Sequence, residues 1–235
     1  MTRRLAEFVI GRALALALLA LVISLLADAA AEGDGVTAFD QPIWSYFVGH
    51  RSSAATSFFK AASTVGSTMT MGVLATIVVV VLLIRKARSA AITLAAVAVG
   101  AGILVVVGKA IVGRTRPPVA YRLVVETNQS FPSGHSLASA AILGGIAVLA
   151  ARTIDHRIWR TTLRIGCVVA VLIIGVSRLY LGVHWSTDVL GGWLAGMAWL
   201  MICATTARVV HELASNPAGQ RMLEPRHLRG AAVDP

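Results

Sequence analysis

The sequence predicts an all-α integral membrane protein built as a bundle of six transmembrane helices. Of its 235 residues, 57% are hydrophobic and only 14% are charged, whereas a typical soluble domain carries about 25% charged residues. Uncharged apolar runs long enough to cross a bilayer recur along the chain. The net charge of +10 would indicate nucleic-acid binding in a soluble protein. Here most of the surplus lies in short loops between apolar runs, so we predict a role in membrane orientation and no nucleic-acid partner.

The predicted membrane domain covers residues 1–207. Its six spans cover about residues 9–31, 61–84, 89–112, 133–151, 161–178 and 185–207. The first span has an alternative interpretation as a cleaved signal peptide, because residues 27–29 resemble a small-x-small cleavage site. Residues 208–235 form a polar tail that we expect to be cytoplasmic and poorly ordered.

Between the first two spans, residues 32–60 combine acidic and aromatic side chains. Trp and Tyr favour the headgroup region, so we expect partly helical structure on the membrane surface, serving as an anchor or as an entry lip for lipid. The two cysteines, Cys167 and Cys203, both lie in apolar runs. We therefore predict reduced packing residues rather than a disulfide.

The distribution of positive charge predicts the orientation. With both termini in the cytoplasm, the inner segments hold 14 of the 21 Lys and Arg residues, as the positive-inside rule requires. The predicted location is therefore the inner or plasma membrane. In this orientation three polar stretches, residues 109–117, 132–135 and 177–188, all lie at the extracytoplasmic face.

The first two stretches have the composition of an anion site. Lys109 and Arg116 are seven residues apart, so on a continued third helix they would point the same way; membrane-edge snorkelling is the alternative. Ser133 is a natural N-cap for the fourth span, and Gly134 permits close approach to the backbone. A helix N-terminus favours anions, and His135 stands in its first turn.

The third stretch adds a possible nucleophile. His184 and Asp188 are four residues apart and hence neighbours on one helix face. A carboxylate on one imidazole nitrogen fixes the tautomer and leaves the other nitrogen as a nucleophile or base. The fork of Arg178 matches phosphate oxygens, and Ser177 offers a hydroxyl donor. With only 11 acidic residues in the chain, a hard-cation site is disfavoured, so we predict neither a metal nor a cofactor.

Together the three stretches resemble the signature of the type 2 phosphatidic acid phosphatase (PAP2) superfamily, which reads K-x6-RP, PSGH and SR-x5-H-x3-D. The resemblance implies that His184 is the nucleophile, that Asp188 orients it, and that His135 protonates the leaving oxygen. It also implies a set of phosphate ligands: Lys109, Arg116, Ser133, Gly134, Ser177 and Arg178. The signature residues match at every position, from Lys109 to Asp188.

The expected function is a metal-independent membrane phosphatase that acts on a lipid-linked phosphate or diphosphate through a phosphohistidine. Similarity to bacterial members favours a polyprenyl diphosphate such as undecaprenyl diphosphate, with phosphatidylglycerophosphate or phosphatidic acid as alternatives. A non-enzymatic anion or lipid transporter is the alternative from another class, but the middles of the spans are almost wholly apolar. The lipid chain, the oligomeric state and any coupled lipid flipping stay open.

Overall fold

The structure, a computed structural model, describes residues 3–215, and this part of the chain is helical. In chain order it forms α1 (Arg3–Glu32), α2 (Asp40–Gly49), α3 (Ser53–Val65), α4 (Thr68–Ile84), α5 (Arg88–Val112), α6 (Gly134–Thr153), α7 (Arg157–Tyr180) and α8 (Ser186–Ser215), with short 3₁₀ helices at Gly35–Phe39 and Val119–Tyr121. Five helices are long and apolar enough to cross a membrane, or six if α3 and α4, bent by 49°, form one span. The predicted all-α membrane class is confirmed.

Helix α6 lies at the centre of the bundle and packs against α4, α5, α7 and α8. Its Leu137 and Ala141 are fully buried against α5 and α8. The start of α8 comes very close to α6, because a Cβ on Gly192 would lie only 2.7 Å from the carbonyl oxygen of Ser133. The absent side chain thus lets the beginnings of α6 and α8, which carry the second and third polar stretches, meet.

The second predicted span is not one straight helix. We expected a single helix over residues 61–84, but the chain breaks at Gly66 and Ser67 between α3 and α4. A side chain at Gly66 would collide with Ile174 of α7. The Ser67 hydroxyl accepts a hydrogen bond from the Thr70 amide at 3.1 Å, which caps α4. Close packing at the glycine and a new N-cap therefore account for the bend.

Helix α5 ends at Val112, where the predicted third span ends, and does not continue to Arg116. Gly113 adopts the left-handed conformation at φ 63°, and its amide bonds to the Lys109 carbonyl at 3.0 Å, a common way to end a helix. Arg116 consequently lies in the following loop. The prediction that Lys109 and Arg116 share one helical face is wrong.

The remaining differences concern the ends of the domain. Helix α8 continues to Ser215, past the predicted end of the sixth span at residue 207. Residues 216–235 of the predicted tail lie outside the described residues. Residues 32–60 are largely helical, as expected, although their position on a membrane surface stays a prediction. Cys167 and Cys203 are buried and free, as predicted.

Candidate active site

The three polar stretches converge at one end of the bundle, around His184. This residue lies between α7 and α8 and is 1% exposed. Its Nδ1 is 3.2 Å from Asp188 Oδ2, and its Nε2 is 3.1 Å from a terminal nitrogen of Arg116. These partners assign the proton to Nδ1, since a carboxylate accepts and a guanidinium donates. The lone pair of Nε2 therefore points toward the cations.

The electrostatic surroundings keep His184 neutral. Burial lowers its pKa to about 4, the Asp188 carboxylate opposes this shift, and the charges of Arg116 and Arg178 add to it. The imidazole is therefore neutral at pH 7, with its one proton on Nδ1. An unprotonated Nε2 is the form that can attack an electrophile.

Two of the predicted phosphate ligands are held by a loop. The Lys109 ammonium donates to Asn128 Oδ1 at 3.3 Å and to the Gln129 carbonyl. Arg116 donates to the same Asn128 Oδ1 at 2.7 Å and to the Val183 carbonyl at 2.7 Å. The two cations thus meet through a shared acceptor of the loop rather than through helical periodicity.

Arg178, at the end of α7, completes the cation cluster. It is 1% exposed and donates to Ser63 and to the Glu126 carboxylate. Its Nε has no hydrogen-bond partner in the described part of the chain. A buried, unsatisfied donor is costly, on the order of 1–3 kcal/mol. We interpret this N–H as a donor that is available to form a hydrogen bond with a ligand oxygen.

Glu126 places a negative charge among these cations. Its carboxylate lies 3.4 Å from Arg116 and also pairs with Arg178. Burial alone would raise the pKa of Glu126, but the charges of Arg178 and Arg116 outweigh it and hold the pKa below its ordinary value. Glu126 is therefore an anion that pairs with two of the predicted phosphate ligands, Arg116 and Arg178.

The second polar stretch lies beside the cluster, with one difference from expectation. Ser133 occupies the N-cap position of α6, but its hydroxyl makes no capping bond and instead accepts from Ser136 at 3.1 Å. Its amide donates to the Asp188 carbonyl at 3.0 Å. His135 is half-buried in the first helical turn of α6. Gly134 packs against α5.

Ser177 is placed differently from the other predicted ligands. Its hydroxyl donates to the Ile174 carbonyl of its own helix at 2.6 Å, and the residue is fully buried. The geometry therefore gives no support to the predicted phosphate contact from Ser177. Its neighbour Arg178 does face the cluster.

Several residues of the site were not predicted from the sequence. The set comprises Asp40, Ser63, Arg114, Glu126, Asn128 and Ser130. Ser130 donates to Asp188 Oδ2 and lies 3.4 Å from His184 Nδ1. Arg114 belongs to the first polar stretch, and its charge was a usable signal. Asp40 lies 74 residues before Arg114, and nothing in its local sequence indicates a contact with the site.

Within residues 3–215 there is no group of three or more His, Cys, Asp or Glu side chains placed to bind a metal ion. The expected absence of a metal or cofactor stays a prediction.

Fold and site together define a class: a helical membrane protein in which a buried His–Asp pair faces three cations suited to a phosphate. The model of the PAP2 superfamily matches residues 89–211, more than half of the chain. The chain belongs to this superfamily.

Among known relatives, a phosphatidylglycerophosphatase B from Bacillus subtilis is 43% identical over 88 residues, which cover 36% of this chain and 41% of the relative. An undecaprenyl-diphosphatase from Sulfolobus acidocaldarius is 35% identical over 124 residues, covering 51% and 55%. The chain thus spans about half the length of these relatives. The crystal structure of a transmembrane PAP2-type phosphatidylglycerolphosphate phosphatase from Bacillus subtilis covers 83% of this chain and 96% of its own, with a TM-score of 0.72 and 28% identity.

Proposed function

We propose that this chain is a metal-independent membrane phosphatase that hydrolyses a lipid-linked phosphate through a phosphohistidine at His184. One observation carries the proposal. The Nε2 of a neutral, Asp188-bound imidazole faces a cluster of three cations, and one of them, Arg178, has an unpaired N–H. Fixed positive charge around a nucleophile is what phosphoryl transfer requires, because its transition state spreads negative charge over the equatorial oxygens.

In the first step, Nε2 of His184 attacks phosphorus in line with the bond to the leaving oxygen. The N–P bond forms as the P–O bond breaks, and His135 gives its proton to the departing oxygen. Lys109, Arg116 and Arg178 stabilise the equatorial oxygens. When the phosphate binds, its oxygens replace the Glu126 carboxylate as hydrogen-bond acceptors for Arg116 and Arg178.

In the second step, water hydrolyses the phosphohistidine. His135 is now neutral and accepts a proton from the water, while the oxygen of the water attacks phosphorus. The N–P bond breaks, its electron pair returns to Nε2, and orthophosphate leaves. The imidazole of His184 is thereby regenerated as the neutral form bonded to Asp188.

The preferred substrate is a polyprenyl diphosphate, with undecaprenyl diphosphate as the first candidate, presented at the extracytoplasmic face. The relative from Sulfolobus acidocaldarius carries the name of that activity. Phosphatidylglycerophosphate is the second candidate, because both the relative with 43% identity and the structural neighbour with a TM-score of 0.72 are named for it. Phosphatidic acid is a third, less favoured substrate.

The test is phosphate release by purified, detergent-solubilised protein in the presence of EDTA. The substrates are undecaprenyl diphosphate, phosphatidylglycerophosphate, phosphatidic acid and a water-soluble phosphate ester. We expect release from the lipid substrates that is lost in His184→Ala. The matched control is His156→Ala, which removes an exposed histidine at the opposite end of α7.

The outcomes separate the alternatives. EDTA-resistant release that vanishes in His184→Ala alone supports the reaction, and the ranking of the panel identifies the substrate. A His184→Ala protein that retains wild-type turnover contradicts the mechanism. A folded wild-type protein that releases no phosphate from any substrate favours the transporter alternative.

A further inference from the structure

A third arginine of the site, Arg114, contacts the proposed catalytic pair from the Asp188 side. A terminal nitrogen of Arg114, NH1, donates to Asp188 Oδ1 at 2.7 Å. The other carboxylate oxygen, Oδ2, accepts from His184 Nδ1 at 3.2 Å. The side chain of Arg114 is 9% exposed and that of Asp188 is fully buried. The two oxygens of Asp188 therefore have different partners, one held by Arg114 and one facing the imidazole.

Arg114 is itself held by a second buried carboxylate. Its other terminal nitrogen, NH2, donates to Asp40 Oδ2 at 2.7 Å. Its NH1 also donates to the Thr187 hydroxyl at 2.7 Å. The guanidinium carbon lies 5.8 Å from the centre of the Trp185 ring. A planar fork that bridges two carboxylates in this way has its orientation fixed by both.

Asp40 also organises the helix that carries Asp188. It comes from α2 and accepts from the Thr187 amide at 2.9 Å and from the Ser186 hydroxyl at 2.6 Å. The amides of the first helical turn need external acceptors, and an N-cap side chain normally supplies one. Trp185, the residue before α8, has no side-chain oxygen. Asp40 supplies that acceptor from a distant part of the chain.

Asp188 completes the helix start from the other direction. Its Oδ2 accepts from the Trp185 amide at 2.8 Å, the reciprocal bond of a capping box, in which an acidic side chain in the third helical position reaches back to the residue before the helix. The carboxylate that faces His184 is thus also part of the α8 N-terminus. Any shift of that terminus moves the carboxylate with it.

We propose that Arg114 and Asp40 are positioning residues, which hold Asp188 so that one oxygen remains on His184 Nδ1 while Nε2 stays in line for attack. This role rests on the proposed phosphatase function. Neither residue belongs to the phosphate-binding cluster. The carboxylate of an aspartate rotates about its side-chain bond with a broad, two-fold torsional profile. A hydrogen bond to the second oxygen therefore prevents the Asp188 carboxylate from turning away from the imidazole.

The test separates positioning from simple structural support by measuring kcat and KM independently. The variants are Arg114→Gln, which removes the charge, Arg114→Lys, which keeps the charge but cannot bridge both carboxylates, and Asp40→Asn. Arg208→Gln is the control for loss of one arginine, because Arg208 is exposed near the far end of α8. Each variant is purified, its thermal unfolding is recorded, and tungstate is used as a competitive anion probe of the phosphate site.

We expect Arg114→Gln and Arg114→Lys to lose on the order of 10²-fold in kcat, the typical effect of a misplaced catalytic group. KM and the tungstate inhibition constant should stay within about twofold of the wild-type values, since the substituted residues do not bind the phosphate group. Asp40→Asn should show the same split with a smaller loss. Failure of the lysine variant to restore activity would identify the fork geometry, rather than the charge, as the requirement.

The contrary outcomes are equally definite. Unchanged kcat in the arginine variants, or a rise in KM and in the tungstate constant at unchanged kcat, overturns the positioning role while leaving the phosphatase assignment intact. If Arg114→Gln fails to fold, Asp40→Asn decides by the same criteria. A wild-type protein inactive on every substrate overturns both proposals.

Discussion

The two sides of the His184 imidazole are built in different ways. On the Nδ1 side, Asp188 is held by Arg114, which is held in turn by Asp40 at the start of α2. On the Nε2 side, the cations are held mainly by side chains and carbonyl groups of one loop, residues 126–129. The Nδ1 side is a buried network that joins the ends of helices, whereas the Nε2 side depends on the loop between α5 and α6.

The exposure of the two carboxylates follows the same division. The Asp188 side chain is 0% exposed, whereas that of Glu126 is 22% exposed. Asp188 is shielded from water, so we expect its hydrogen bonds to persist during turnover. Contacts from the loop to Arg116 and Arg178 are of the kind that phosphate oxygens can replace. The comparison indicates that the orientation of the proposed nucleophile is built into the fold, while the cations of the proposed phosphate site are bonded in part to exchangeable partners.

The largest effect should come from disrupting the contact of Asp188 with Nδ1 of His184. In Asp188→Asn, the amide can donate to Nδ1 and stabilise the tautomer that carries its proton on Nε2. We expect kcat to fall on the order of 10⁴-fold, as in an Asp→Asn change beside a catalytic histidine. Single-turnover formation of the phosphohistidine is the measurement. A loss below about tenfold would show that the Nδ1 side does not control the nucleophile.

The next effect tests the proposed role of His135 as a general acid. His135→Ala should lose about 10²–10⁴-fold on a lipid phosphate. The loss should be much smaller on an aryl phosphate, because a good leaving group departs without a proton. The comparison is the ratio of kcat/KM for the two substrates in the variant and in wild type. Equal losses on both substrates would remove His135 from the role of proton donor.

How far the sequence predicted this site differs between the two sides. His184 and Asp188 do contact each other, as predicted. The prediction that they are neighbours on one helix face is wrong, because α8 begins at Ser186 and His184 lies in the connection before it. The same reasoning failed for Lys109 and Arg116, because Gly113 ends α5 between them. Local periodicity predicts a contact only as far as the helix continues.

The fold shows the same limit. The apolar runs predict the membrane class and the approximate spans, since a bilayer sets helix length. They do not predict the break at Gly66, which depends on packing against Ile174 of α7. Nor do they predict that Asp40 reaches the start of α8, because that contact is set by tertiary structure.

The pH dependence of activity distinguishes a buried nucleophile from an exposed one. The proposed mechanism requires the neutral imidazole of His184, whose pKa is lowered from 6.5 to about 4. Activity due to this group should therefore be retained down to about pH 5 and lost as the pH falls through about 4. The measurement is kcat/KM against pH, corrected for titration of the substrate phosphate. A loss centred near pH 6.5 would mean that the imidazole is solvated in the working enzyme.

The smallest expected effect tests whether the loop partners are exchangeable. Glu126→Gln removes the negative charge that pairs with Arg116 and Arg178 but keeps the size of the side chain. Because a phosphate would no longer have to displace a carboxylate, we expect tungstate and orthophosphate to bind more tightly. The gain should be on the order of 10-fold, the value of one charge-assisted hydrogen bond. Asp155→Asn, which removes an exposed carboxylate between α6 and α7, is the control.

The direction of this effect decides between two roles for Glu126. If the carboxylate only neutralises the cations until a phosphate arrives, its removal strengthens anion binding and leaves kcat almost unchanged. If it instead holds the Arg178 fork in position, its removal weakens anion binding and lowers kcat together. The second result would place Glu126 with Asp188 among the fixed partners. The loop would then contain both fixed and exchangeable partners of the cations.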